Sequence, residues 1–291
     1  MLDTIRETCP GVALSTECPL CGQASPAFVL GDGQHSLHKC GRCRFLYVLP
    51  RLTPEELERL YSVDYAGGDI SATTLEFRAP VFQQCLSTLS RLHTRKGALL
   101  DVGCWTGEFL ETASKDGWAA TGIEVSTQAA KFATSKGRDV QCCTLQTAPL
   151  VAGSFDAVTF LDVLEHLPEP KQELVRAREL LKIGGTLVVR VPNTNFHLPK
   201  THLLCMCGIA DVGLQMKYHL NHFTPGTLDR ALAEAGFRVE TMQVGAPETI
   251  AHSKWASPGL KRAYVRTAQL LHAITGLHAG NIMVAYARKL C

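Results

Sequence analysis

Short apolar runs alternate along most of the chain with stretches of helical periodicity, and glycines punctuate the changes. This alternation predicts an α/β protein with a mainly parallel sheet. The sharpest case is Ala98–Gly107, ALLDVGCWTG: an apolar strand, a turn at Gly103 and Gly107, and a helix from Glu108 that closes at Gly117. Strands follow at Ala119–Val125, Asp139–Cys143, Ala157–Leu161, Thr186–Val191, Phe237–Val244 and Asn281–Lys289. Between them the pattern predicts a helix capped by Ser126 and stopped at Gly137, one over Pro168–Lys182, and one over Leu228–Ala235 opened by Thr224 and Pro225. A helix over residues 76–95 precedes the first core strand, and Pro258–Ile274 carries Leu260, Tyr264, Ala268 and Leu271 on one helical stripe. Thr53-Pro54-Glu55-Glu56 has the form of a capping box and opens a helix running to about Tyr61.

Composition narrows the class. The chain has 291 residues, 46% hydrophobic, which suits one core domain with an appendage. A net charge of +2 gives no global electrostatic footprint for nucleic acid. No run of apolar residues reaches membrane-spanning length, and the first residues, MLDTIRETCPG, lack the apolar core of a secretory signal. Twelve cysteines are many. Most are scattered in apolar segments and read as reduced small hydrophobes of a cytoplasmic protein.

The other four form a pattern. Cys18 and Cys21 are followed, after 18 intervening residues, by Cys40 and Cys43. Two C-x-x-C knuckles at this separation predict a tetrahedral structural zinc site, with the FVL and FLYV segments as strands of a small zinc ribbon. With four thiolates as ligands, no position remains for water, so the ion would fold the segment rather than do chemistry. Residues 1–49 hold four Lys/Arg and four Asp/Glu, a balance that speaks against a nucleic-acid grip.

A glycine turn after a strand lets backbone approach a ligand, and the helix beyond offers unpaired N–H groups. The next strand carries Glu124, 23 residues after Asp101, where a carboxylate in a doubly wound sheet can accept ribose hydroxyls. Asp101, Gly103, Gly107 and Glu124 together resemble the signature of the class I S-adenosylmethionine (SAM) dependent methyltransferases, with Trp105 where a middle glycine is usual. Ser154-Phe155-Asp156 and Asp162-Val-Leu-Glu165-His166 match a second segment of that family. The resemblance implies a Rossmann-like, doubly wound seven-stranded sheet with an antiparallel last strand. It implies that the turn with Cys104 and Trp105 holds the methionine end of SAM, Glu124 and Val125 the ribose, and Thr144 and Leu145 the adenine. Asp162 lines the crevice, and Tyr65 covers the methionine end or packs at the domain junction. The presence of the ribbon resembles the shorter relatives of zinc-bearing sugar C-methyltransferases.

The expected layout is a zinc ribbon with lead-in at residues 1–50, a helical, cofactor-covering linker at 51–96, and the methyltransferase core at 97–291. Residues 195–222 interrupt an otherwise compact core and read as a lid over substrate or, through 195–217, as a homodimer contact. His219 and His222, in YHLNHFT, and His166 are candidate general bases, or else hydrogen-bonded anchors of their loops. From Ala251 to Cys291 there are six Lys/Arg and no Asp or Glu, a basic face for phosphate or for solvent. The functional expectation is methyl transfer to a small or carrier-linked acceptor of sugar or natural-product type. RNA base methylation and a non-catalytic scaffold are the competing classes.

Overall fold

The structure, a computed structural model, describes residues 16–52, 56, 74–206, 214–248 and 258–290. Tyr65, the lead-in and most of the predicted helix after Thr53 lie outside the described residues, as does the stretch 207–213 of the insertion.

Three strands begin the described chain: β1 (Pro26–Gly31), β2 (Ser36–Cys40) and β3 (Leu46–Leu49). Helix α1 (Thr74–Leu92) leads into β4 (Ala98–Val102), and α2 (Glu108–Lys115), β5 (Ala119–Ile123), α3 (Thr127–Ser135) and β6 (Val140–Gln141) follow. Then come β7 (Phe155–Leu161), α4 (Pro170–Leu180), β8 (Leu181–Pro192), α5 (Thr194–Met206), β9 (Asn221–His222), α6 (Pro225–Glu234), β10 (Phe237–Val244), α7 (Pro258–Thr275) and β11 (Ile282–Lys289).

Seven strands form one sheet in the order β10-β11-β8-β7-β4-β5-β6. The pairs from β8 through β6 are parallel, whereas β11 runs antiparallel between β8 and β10. The Rossmann-like sheet with its reversed last strand is therefore present. Its central strands are apolar on both faces: Leu99, Leu100, Val158, Phe160, Leu187 and Val189 are fully buried, as parallel strands between helical layers must be. The crossover reverses between β4 and β7, so the carboxyl ends of β4, β5 and β7 open on a common crevice.

The ribbon's β1-β2-β3 sheet gains β9 as its fourth strand. Leu46 pairs with His222 and Tyr47 with Asn221, so a loop of the core is stitched into the ribbon. Phe45 and Tyr47 are fully buried, and the Phe45 ring lies 5.0 Å from that of Phe223. The ribbon thus shares its apolar interior with the core, and neither ring is available as a stacking platform.

Three elements differ from the periodicity reading. β6 is shorter than the predicted Asp139–Cys143 because it is an edge strand paired only through Gly122–Val140 and Ile123–Gln141. β8 begins five residues early, at Leu181, and accommodates Gly184, at φ +78°, where its register against β7 shifts. On α7 the buried positions are Val265 and Ala268, while Leu260 is 62% exposed. That helix is fastened by polar groups instead: His272 Nε2–H donates to the Met242 carbonyl (2.8 Å) and the Tyr264 hydroxyl to that of Ala279 (2.8 Å).

Candidate active site

The glycine turn closes on β5. The N–H groups of Gly103 and Cys104 both donate to the Ile123 carbonyl, at 2.8 and 3.1 Å. Gly103 has φ +68° and Trp105 φ +50°, both in the left-handed region, which explains why a glycine is expected at the tryptophan position. A Cβ on Gly122 would sit 2.5 Å from Cys104 Sγ, so the close approach of turn to strand also needs that glycine. Cys104 is accordingly buried beneath the turn.

Glu124 lies at the end of β5 and is 7% exposed. Its Oε2 accepts the Trp105 N–H (2.8 Å) and its Oε1 the Ser126 N–H (2.8 Å). Burial raises its pKa, and these backbone donors counter it by favouring the charged form. A carboxylate has about four lone-pair directions, so these donors do not exhaust its acceptor capacity. Leu145 is buried and Thr144 is exposed, closing a turn with Thr147 (Oγ1–Oγ1 2.9 Å). The Val125 side chain is 44% exposed. Gly107, at φ +80°, is the N-cap of α2 and packs on Arg138.

Asp101 is sealed inside the sheet, where the Thr159 hydroxyl donates to its Oδ1 (2.6 Å). Burial pushes its pKa up to about 7 against that hydrogen bond. In the unfolded chain an aspartate loses its proton near about pH 3.9. Between these values the folded protein holds the extra proton, so stability falls as pH rises from about 4 to about 7. Asp101→Asn is expected to flatten that slope. A Tm series over this range checks it, each kcal/mol being worth about 2–4 °C in a domain of this size.

On the other side of the crevice, Asp162 directly follows β7 at φ +63° and pairs with both Arg78 of α1 and Arg190 of β8. Both guanidiniums also approach Glu248, at 3.7 and 3.6 Å. Glu165 is fully buried; burial, then the charge of Asp162, drives its pKa well above the ordinary carboxyl value. His166 Nδ1–H donates to the Tyr218 carbonyl (2.9 Å), which fixes the tautomer. Its ring is 4.8 Å from that of His219, which lies 6.4 Å from that of His222. Burial, reinforced by the charges of His166, His222 and His197, lowers the pKa of His219 to about 2, so its ring is neutral. Asn221 ties these loops together: its Nδ2 donates to the carbonyls of Leu164 and Leu167, and its N–H to that of Glu165 (2.9 Å).

The four ribbon cysteines bring their sulfurs within 4.8 Å of one another, with Cys18–Cys43 at 3.4 Å and Cys21–Cys40 at 3.6 Å. A tetrahedron of Zn–S bonds of about 2.3 Å needs sulfurs about 3.8 Å apart, so the set fits that ion. Burial raises Cys40, but hydrogen bonds from the Cys43 and Arg42 N–H groups outweigh it and bring the thiol down to about 7.

Residues 75–242 match the family model described as a methyltransferase domain. The chain belongs to the class I SAM-dependent methyltransferases. It is 30% identical over 187 residues to the ubiquinone biosynthesis O-methyltransferase of Alkalilimnicola ehrlichii, covering 60% of this chain and 70% of that enzyme. It is 31% identical over 153 residues to the enzyme of the same name from Psychrobacter arcticus, covering 48% of this chain and 58% of that one. Among solved structures, the fold resembles a Burkholderia thailandensis 1,6-didemethyltoxoflavin-N1-methyltransferase with S-adenosylhomocysteine (TM-score 0.57, 15% identity, 91% and 99% coverage). It also resembles a geranyl diphosphate C-methyltransferase from Streptomyces coelicolor (TM-score 0.53, 17% identity, 82% and 99% coverage). No helix among the described residues is long and apolar enough to cross a membrane.

For a methyltransferase, the cradle at the ends of β4 and β5 fits SAM. Glu124 is held at the end of β5 by the Trp105 and Ser126 N–H groups, beside a turn of bare backbone, where a carboxylate suits ribose hydroxyls. Arg78, Arg190, Glu248 and His197 were not singled out from sequence, and Glu165 only as part of the segment that ends in His166. One of them carried a signal: Arg190 is a charge inside the apolar strand TLVVRV, and such residues are almost never fully buried unless paired.

Proposed function

We propose that this chain transfers the methyl group of SAM to a hydroxyl of a small or carrier-linked acceptor, and that its Cys18/Cys21/Cys40/Cys43 cluster holds a structural zinc ion. The observation that carries the reading is the Glu124 carboxylate, fixed by the Trp105 and Ser126 N–H groups at the end of β5. SAM supplies an electrophilic methyl on sulfur. The protein's share is then to orient, to exclude water and to receive a proton. Glu124 orients the ribose, the Gly103 turn accommodates the methionine end, and Leu145 borders the adenine. Asp162, held by Arg78 and Arg190, shapes the wall between cofactor and acceptor.

The similarity to O-methyltransferases of ubiquinone biosynthesis supports oxygen as the acceptor atom. His222, buried beside His219, is the residue proposed to take the hydroxyl proton. His222→Gln is expected to lower kcat by about 10²–10⁴ with little change in SAM affinity, the range for loss of a general base. A cavity of about 630 Å³ between the ribbon and the starts of α5 and α6 has Lys39, Arg44 and Arg230 on its walls, and suits the anionic part of a carrier-linked acceptor. Incubation with methyl-labelled SAM and a panel of hydroxylated acceptors, free and phosphorylated, tests the reading. Labelled product with release of S-adenosylhomocysteine supports it. SAM binding without transfer to any acceptor would favour the non-catalytic alternative.

A further inference from the structure

We propose that the cavity between the ribbon and the starts of α5 and α6 is a phosphate-ester site, with Arg44 and Lys39 as its anion contacts. Charge is the first reason. Lys39 of β2, Arg44 of the second cysteine knuckle and Arg230 of α6 line the cavity, and among the described residues no Asp or Glu does. Arg230 pairs with Glu234 on its own helix (2.8 Å), whereas Lys39 and Arg44 have no ion pair among the described residues. Two uncompensated cations match a dianion, which a phosphate supplies and a single carboxylate does not. The volume, about 630 Å³, is that of a site for an organic molecule, and Val29, Leu46 and Leu198 give it an apolar wall. An ester therefore fits better than free phosphate.

The backbone at Arg44 is the second reason. Gly22 and Arg44 each directly follow the second cysteine of a C-x-x-C knuckle. Their N–H groups make the same hydrogen bond, Gly22 to the Cys18 carbonyl (2.8 Å) and Arg44 to that of Cys40 (3.0 Å). Both residues are left-handed, at φ +71° and +63°. Such a turn suits glycine, and the first knuckle has one. The second knuckle places an arginine there, in a conformation unfavourable to L side chains, and its side chain is on the cavity wall. Strain kept at a position where glycine would serve marks a side chain in use. The guanidinium is also the group whose fork of N–H donors matches phosphate oxygens.

The binding claim rests on these residues alone. Its consequence, that the acceptor carries a phosphate or diphosphate, rests on the methyl-transfer reading: Thr224 in the cavity wall is two residues from His222. The full chain, zinc-loaded and free of SAM, is titrated with inorganic pyrophosphate in a calorimeter at low ionic strength. One saturable equivalent is expected, weakening as salt is added. Arg44→Gly and Lys39→Ala are each expected to weaken it about tenfold or more, with zinc content unchanged. Because glycine relieves the left-handed strain, Arg44→Gly should unfold at or above the native temperature, which loss of a merely structural arginine would not produce. The native titration decides the matter even where a variant loses its zinc. No saturable binding at millimolar pyrophosphate, or undiminished binding in both variants, would overturn the site. Pyrophosphate binding without methyl transfer to any acceptor would keep the site and remove the methyl-transfer reading. Transfer to unphosphorylated acceptors alone, without pyrophosphate binding, would do the reverse.

Discussion

Replacing Cys40 by serine is expected to abolish methyl transfer while leaving the affinity for SAM within a few-fold of the native chain. The two effects separate because the cysteine cluster is wired to one side of the crevice only. Cys40 ends β2, which pairs with β3, and β3 pairs through Leu46 and Tyr47 with β9, the strand that carries Asn221 and His222. Val48 N–H also donates to the Leu220 carbonyl (3.0 Å). A structural zinc supplies folding free energy outright, so a ribbon missing one thiolate loses its ion and its strand order. The histidine loop then loses the sheet that aims it, and a misplacement of about 1 Å near the reacting atoms can cost about 100-fold in rate. Glu124, by contrast, is held by the turn after β4 and by the start of α3, in the larger sheet. Steady-state kinetics alongside calorimetry with SAM, with zinc content measured on the same sample, checks the separation. Equal losses of kcat and SAM affinity would show that the ribbon serves overall stability and nothing more.

Glu124→Gln carries the second large effect. The variant keeps the shape of the side chain but turns one acceptor oxygen into a donor. It then faces the Trp105 or the Ser126 N–H donor to donor, and it offers a ribose hydroxyl a neutral partner. Hydrogen bonds to a charged group are worth about 1.5–3 kcal/mol, so the SAM dissociation constant should rise about 10–100-fold. Glu124→Ala should exceed this, since the turn also loses the carboxylate that holds the left-handed Trp105 in place. Both variants should leave zinc content unchanged. Calorimetric titration with SAM, and with S-adenosylhomocysteine as a control for the methyl, reads the loss directly.

What the sequence disclosed follows from how local each signal is. Ala98–Gly107 is legible because strand, glycine turn and helix start occupy ten consecutive positions and each has its own sterics. The two C-x-x-C pairs are legible because their spacing is that of a tetrahedral four-thiolate site, and the four sulfurs do meet. The parallel order of the sheet could be expected from the alternation of apolar runs and helices. The α7 stripe misled because leucines at helical spacing predict an apolar face without saying what meets it. There the contact is made by Val265, Ala268 and polar side chains that reach β10.

The acceptor side was less legible for a different reason. β9 is two residues long, so no periodicity can announce it, yet it joins ribbon to core and places His222. Arg78, Arg190 and Glu248 come from three distant segments and meet only because α1 and the chain after β10 cross the end of β8. Glu165 reads in sequence as a neighbour of His166. Only the packed structure shows that its carboxyl is buried and short of a partner.

A nucleoside site at the carboxyl ends of β4 and β5 is the feature on which every proposed catalytic role depends, and one titration addresses it. The purified chain, zinc-loaded and stripped of nucleoside, is titrated with SAM in a calorimeter. Saturable binding of one SAM per chain, at micromolar concentration, is the expected result. A flat titration up to millimolar SAM, from a sample whose circular dichroism shows it folded, would contradict it.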